Sequence, residues 1–197
     1  IADGVVALSS FTRDRAISNG IEPDKVIVIQ GGADIDNIQY IPHTRHRSKY
    51  GIPENSLVFC LSGNTDSEFL DNEPFLLAMN ELKKHINVTL FTTGGIISKK
   101  LKQKYNLGRE FIEFGWIDYK YYSELLSCAD IFLLLMKDNA ENKARWPNKA
   151  GDYFAAGRLI LTNAIGELGV IIKRFPKSFI CVDWNKESLV KNILAWL

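Results

Sequence analysis

Eight short β-rich runs recur along the chain, at residues 5–8, 25–29, 57–61, 88–92, 111–114, 131–135, 159–162 and 179–182, and several are apolar at consecutive positions. A strand with one wet face alternates apolar and polar residues. Continuous apolarity requires cover on both faces, which is the habit of a parallel sheet. Between the runs, apolar residues recur three and four apart. Phe75, Ala78, Met79 and Leu82 form one stripe, and Tyr122, Leu125, Leu126 and Ala129 form another behind Asp118 as N-cap. Two more helices are predicted over 98–105 and 187–197, the last opening after Asn185. Strand–helix alternation at this spacing predicts βαβ crossovers, hence an α/β fold with a doubly wound, Rossmann-like parallel sheet.

The polar, basic stretch 43–50, set between Pro42 and the Gly51-Ile52-Pro53 turn, predicts a linker or domain edge near 32–50. Residues 1–40 then read as the end of one domain plus a crossing, and 41–197 as a second domain. The chain opens on Ile1-Ala2-Asp3-Gly4 without a charged-then-apolar leader, so it reads as cut from something longer, with no export signal expected. No apolar run reaches the length of a membrane span. Lys and Arg total 24 against 23 Asp and Glu, a balance that does not predict a nucleic-acid partner. Cys60, Cys128 and Cys181 lie far apart in apolar runs and read as three buried thiols of a reducing compartment.

Ligands of an open parallel sheet bind where strands end and helices begin. The richest such junction is 138–157. Pro147 suits the first turn of a helix and Gly157 its stop, predicting a helix from about 147 to 156. Its first turn exposes N–H groups, Ala150 and Gly151 are small enough for a ligand to close in, and Arg145 and Lys149 add two cations to the positive end of the dipole. That combination suits a diphosphate. Asp152, three residues after Lys149, shares its face and can accept hydrogen bonds from both hydroxyls of a ribose. On the spacing alone, a plain Lys149–Asp152 surface pair is the better fit. His43, His46 and His85 read as surface groups, and the acidic run 66–73 as solvated loop leading to a helix capped by Asp71 or Asn72. No metal site is expected. No G-x-G-x-x-G, Walker or nucleophile-elbow pattern is present, which disfavours hydride transfer, NTP hydrolysis and serine hydrolysis.

These residues bring a family into view. Pro147-Asn148-Lys149-Ala150-Gly151-Asp152-Tyr153-Phe154-Ala155-Ala156-Gly157-Arg158-Leu159-Ile160 resembles the P-x-K-x-x-E/D-Y-x-A-A-G-x-P-V/L stretch of GT-B fold glycosyltransferases of the large retaining family 4. Ala2-Asp3-Gly4-Val5-Val6-Ala7-Leu8-Ser9 is similar to A-D-x-V-I-x-x-S, and Val28-Ile29-Gln30-Gly31-Gly32-Ala33-Asp34 to V-I-P-N-G-V-D. Arg47-Ser48-Lys49-Tyr50-Gly51-Ile52-Pro53 is similar to R-x-x-Y-G-I-P. Phe114-Gly115-Trp116-Ile117, followed by Tyr122-Ser123-Glu124-Leu125-Leu126 and Ala129-Asp130-Ile131, resembles F-x-G-x-V…Y-x-x-L-L-x-x-A-D-I. The fragments follow the family's order over nearly the whole chain.

The resemblance implies the C-terminal, donor-binding domain of a retaining, metal-independent glycosyltransferase that uses a nucleoside diphosphate sugar of UDP or GDP type as substrate and no cofactor. Asp152 falls on the position that holds the ribose, and Gly115-Trp116-Ile117 on the loop whose backbone meets the base. Arg145, Lys149 and the N–H groups of Asn148, Ala150 and Gly151 would stabilise the leaving diphosphate. A glycan or lipid-linked acceptor would enter through a missing N-terminal domain, so this piece alone should not turn over. Family members often build polysaccharides or lipid-linked glycans in the cytoplasm, some peripherally at the inner membrane face. Two departures stand out. The first member of the family's carboxylate pair would fall on Ala144, leaving Glu141 as the nearest acid. The loop after the 57–61 run, Ser62 to Glu73, has no cation where the family carries Arg and Lys. These departures favour an alternative, a catalytically silent domain of the same fold used for protein interaction.

Overall fold

The apolar runs from Leu57 onward are covered on both faces, as their patterning requires. In the computed structural model of the chain, which describes residues 2–42, 46–63 and 66–197 apart from the side chains of Ser67 and Glu68, these runs form one sheet. Its strands are β3 (Leu57–Ser62), β4 (Val88–Thr93), β5 (Phe111–Glu113), β6 (Ile131–Leu134), β7 (Leu159–Thr162) and β8 (Phe179–Cys181). Every pairing is parallel, in the order β5-β4-β3-β6-β7-β8. Counted from β3 this is the doubly wound 3-2-1-4-5-6 order, whose direction reverses between β3 and β6 and opens a crevice at their carboxyl ends. β1 (Val5–Ala7) and β2 (Val26–Val28) pair in parallel as a separate two-stranded sheet.

The helices are α1 (Ser10–Ser18), α2 (Asp66–Asp71), α3 (Glu73–Leu82), α4 (Lys99–Lys104), α5 (Tyr122–Leu126), α6 (Ala140–Ala144), α7 (Lys149–Ala156), α8 (Glu167–Arg174) and α9 (Lys186–Trp196). Each apolar stripe read from the sequence became one. Asn185 caps α9 through its side chain, Asp118 caps a 3-10 turn that runs into α5, and Gly157 closes α7 at φ +66°. The acidic run differs from its reading as a solvated loop: 66–71 is helical, and Asn72, at the start of α3, makes no side-chain cap. Its oxygen instead accepts from Leu135 N at 3.4 Å. No helix among the described residues is long and apolar enough to cross a membrane.

The core has two halves, one under α3 and α9 around Phe59, Phe75 and Leu133, the other under α5 and α7 around Phe132, Tyr153 and Ile160. Cys60 and Cys128 are buried there. Cys181 is exposed, contrary to expectation, because it ends edge strand β8.

Residues 32–42 and 46–50, the described part of the predicted linker or domain edge, are irregular apart from a 3-10 turn at Ser48–Tyr50 and pack on the larger sheet. Ile38 and Ile52 are buried with Val58 and Tyr153. Arg158 donates to Ile41 O and lies 4.5 Å over the Tyr40 ring. His43 falls outside the described residues. Arg47, 2% exposed, anchors the far end. Its guanidinium donates to the carbonyls of Cys128 (3.0 Å), Glu54 (3.2 Å) and Ser56 (3.2 Å) and sits 2.7 Å from Asp130 Oδ1. Asp130 Oδ2 in turn accepts from Val58 N at 2.8 Å, so one ion pair joins the crossing to β3 and to the residue before β6. Removing one member of a buried pair strands the other without its counter-charge. Arg47→Ala should therefore lower unfolding free energy by about 3–5 kcal/mol in denaturant titration, and a loss below about 1 kcal/mol, the surface-pair range, would show the pair to be peripheral.

Candidate functional site

β3 ends in Ser62, and Gly63 turns the chain at φ +85° with its N–H on Thr93 O (3.0 Å). This turn, the end of β6 and the 145–152 stretch enclose the crevice where the strand order reverses. It consists of two adjoining cavities. One, of about 410 Å³, is lined by Leu135, Asp71, Asn72, Arg145, Asn148 and Lys149 among others. The second, of about 230 Å³, is lined by Thr93, Gly94, Trp116, Ile117, Tyr119 and Tyr122. Ser62, Gly63 and Asp152 border both, so the carboxylate of Asp152 stands at the junction.

The first turn of α7 carries Asp152, and a relay of hydroxyls holds it. Tyr122 OH donates to its Oδ2 at 3.3 Å and shares a 2.6 Å hydrogen bond with Ser62 Oγ. Ser62 N donates to Tyr153 OH at 2.9 Å, and the Tyr153 ring stacks on Phe132 at 4.1 Å. Burial pushes the Asp152 carboxyl above the ordinary range, the Tyr122 hydrogen bond pulls it down, and the charge of Asp34 raises it again. Asp34 reaches this rim from the crossing and accepts from Tyr119 OH at 3.0 Å. Burial likewise raises the Tyr122 phenol, which stays a proton donor.

The expected residues divide. Arg145, Asn148 and Lys149 line the larger cavity and Trp116 and Ile117 the smaller. Trp116 is 87% exposed, so it serves no packing role. Gly115, at φ +62°, turns this loop, and its carbonyl is engaged by Gly94 N (2.8 Å) and Thr93 Oγ1 (3.2 Å). Ala150 and Gly151 do not line the crevice. Ala150 is buried in the core, and a Cβ on Gly151 would lie 2.6 Å from Gly32 O, so its smallness admits the crossing segment's backbone and not a ligand. Their N–H groups are spent on Pro147 O (2.8 Å) and Asn148 O (3.1 Å). Glu141 lies exposed on α6, outside the crevice.

The loop after β3 supplies what patterning did not single out. Asn64 and Thr65 lie outside the described residues. Asp66 accepts from Ser98 N (3.2 Å), and Glu73 holds Lys104 (3.0 Å) and Tyr105 OH (2.6 Å). Asp71 faces the larger cavity, its Oδ2 3.2 Å from Arg145 Nη2. Tyr122 and Ser62 also belong to the site, although Tyr122 reads from spacing as one more apolar-stripe residue. His46 contacts Ser127 Oγ (3.4 Å) and His85 lies 3.6 Å from Glu81, both away from the crevice. Among the described residues, no three His, Cys, Asp or Glu side chains are grouped as a metal site.

The sequence matches no protein-family model and no curated protein. Solved structures do share its fold. Sucrose-phosphate synthase from Thermosynechococcus elongatus is similar over 99% of this chain and 49% of its own, with TM-score 0.76 and 18% identity. HepE from Anabaena, in complex with UDP, is similar over 99% of this chain and 54% of its own, with TM-score 0.77 and 15% identity. A glycosyltransferase from Rickettsia africae gives 98%, 52%, 0.75 and 20%. The chain spans about half the length of each. What is shared at these identities is the architecture: a Rossmann-like parallel sheet flanked by helices, matching half of a GT-B glycosyltransferase.

The raised carboxyl of Asp152 sets a pH dependence. In the unfolded chain an aspartate titrates near about 3.9, and the folded state holds this proton more tightly. The cost of burying the charge is absent below the unfolded value and builds as pH rises through the folded one. Asp152→Asn should therefore melt above wild type at pH 7 without ligand, and the difference should vanish below about pH 4. A melting-temperature difference that stays constant across this range would contradict the assigned burial.

Proposed function

We propose that this chain is the donor-binding half of a glycosyltransferase and that a nucleoside diphosphate sugar lies along the crevice, its ribose on Asp152. One observation carries the reading: a half-buried carboxylate stands where two cavities meet, with Lys149 and Arg145 on one side and an exposed indole with a glycine-turned loop on the other. A ribose presents two hydroxyl donors to such an acceptor, a pyrophosphate needs the cations, and a base needs a flat, partly apolar slot. HepE has been solved with UDP and with UDP-glucose, which supports a donor of this class.

In this proposal Lys149 and Arg145 stabilise the charge of the departing diphosphate as an oxocarbenium-like centre forms, a preorganised electrostatic role assisted by the N–H of Asn148. Asp152 orients the ribose and moves no proton. Residues 1–40 would end the acceptor-side domain and 41–197 would form the donor domain. The partner half would bring a glycan or lipid-linked acceptor and any general base, so this chain alone would bind donor without transferring it. Retention of configuration, independence of metal, a UDP or GDP type donor and work on glycans at the cytoplasmic membrane face are further parts of the proposal, carried by the motif resemblance.

Calorimetric titration with UDP and GDP tests it. One of the two should bind, and Asp152→Ala should weaken binding by about tenfold or more. Binding only to the folded state stabilises it by about 2.7 kcal/mol at a hundredfold excess over Kd, which a thermal melt detects. If neither nucleotide raises the melting temperature, the donor reading fails and a silent domain used for protein interaction takes its place.

A further inference from the structure

Resting on the donor reading above, we infer that Asp71, clamped by Arg145, is the residue that recognises the hydroxyls of the transferred sugar. The α6 side of the larger cavity offers no acid. Ala144 has no polar side-chain atom, and its carbonyl accepts from Ser9 Oγ (2.7 Å) and Thr12 Oγ1 (2.8 Å), while Glu141 is exposed outside the crevice. An acid enters from the opposite wall instead. Asp71 ends α2, borders only the larger of the two cavities and has a side chain 15% exposed.

Three contacts fix it. Trp184 Nε1 donates to Asp71 O at 2.8 Å, Arg145 Nη2 to its Oδ2 at 3.2 Å, and the side-chain oxygen of the next residue, Asn72, accepts from Leu135 N at 3.4 Å. The second carboxylate oxygen, Oδ1, has no hydrogen bond to another described residue, and the Arg145 side chain, 36% exposed, lines the same cavity. The pair thus presents an acceptor beside a donor on one rigid support. Neighbouring hydroxyls of a sugar ring both donate and accept, so they match such a pair. A phosphate only accepts, and the charge of Asp71 repels it. The same pair therefore places the sugar beside Asp71 and leaves the diphosphate to Lys149, with Arg145 between the two.

The test separates sugar from nucleotide. Wild type, Asp71→Asn and Asp152→Ala are titrated with UDP and GDP, and with UDP-glucose, UDP-galactose, UDP-N-acetylglucosamine and GDP-mannose. Asp71→Asn should bind the bare diphosphate as well as wild type or better, because a repulsive charge is gone, and should lose on the order of tenfold in affinity for the sugar nucleotide that wild type prefers. Asp152→Ala should weaken both kinds of ligand alike. Equal loss of both ligands in Asp71→Asn, loss of neither, or a wild type that binds every sugar nucleotide no better than its diphosphate overturns the inference while the Asp152 result still supports the donor site. Absence of all nucleotide binding overturns both. Asp71→Glu, which keeps the charge but moves it by one methylene, guards against a folding defect: with an unchanged melting temperature it should retain diphosphate binding and lose the preference among sugars, and an unchanged preference counts against Asp71.

Discussion

Cover on both faces of a parallel sheet is the constraint from which the rest follows. Strands β3, β4 and β6 leave almost no side chain in water, so polar groups are tolerated where the strands stop. Ser62 closes β3, Thr92 and Thr93 close β4, and Thr162 closes β7 with Asn163 after it. Each of the last two is matched: Thr162 Oγ1 donates to Leu134 O at 2.7 Å, and Asn163 bonds both N and O of Met136 at 2.9 and 2.7 Å. Apart from the buried Thr92 hydroxyl, which has no partner among the described residues, these polar groups are matched, and the reversal of strand order beside β3 opens the crevice.

Electrostatics in the gap is arranged against stability. Asp152 sits in partial burial that disfavours its charge, with Asp34 adding repulsion and only the Tyr122 hydroxyl opposing both. A group held so has no structural excuse, since a neutral side chain of the same shape would cost less. Residues whose charge is maintained against desolvation inside a cleft are where function is to be sought. Arg145 and Asp71 are different. Their mutual attraction reduces the positive charge that Arg145 offers to the crevice, which on the proposed donor reading would shift more of the pyrophosphate contact toward Lys149.

The strands and α7 were legible because their signals are local. Eight apolar runs, a Pro at one end of a stripe and a Gly at the other each depend on a few adjacent residues, and all eight runs became strands. Asp152 was only partly legible: its spacing from Lys149 reads as readily as a surface pair, and the motif resemblance, not the spacing, singled it out. What stayed hidden depends on distant partners. Asp71 meets Arg145 across 74 positions of sequence, and nothing near either residue announces the other. Gly151 looked like room for a ligand, yet the backbone that closes on it belongs to Gly32. Cys181 looked buried by its apolar neighbours, but whether a strand lies at an edge is set by the sheet and not by the strand. Helices α1 and α6 carry little or no buried apolar stripe, so periodicity had nothing to report.

The wall of the cleft does not belong to one sheet alone. Ser9 caps α1 by accepting from Thr12 N at 3.1 Å, and the same hydroxyl, with that of Thr12, reaches across to Ala144 O. Glu167, 3% exposed at the start of α8, accepts from Ser10 N at 2.5 Å and from Gln30 Nε2 at 2.7 Å. A buried carboxylate at two helix N-termini gains from both dipoles and from two donors at once, which offsets its desolvation. The consequence is directional. Ala144 is the last residue of α6 and Arg145 follows it directly, so the two-stranded unit grips the peptide that aims Arg145 at the crevice. Any displacement of β1 and α1 must either break the two hydrogen bonds to Ala144 O or carry Arg145 with it, and the geometry of that wall of the crevice is thereby tied to the position of residues that lie before the crossing.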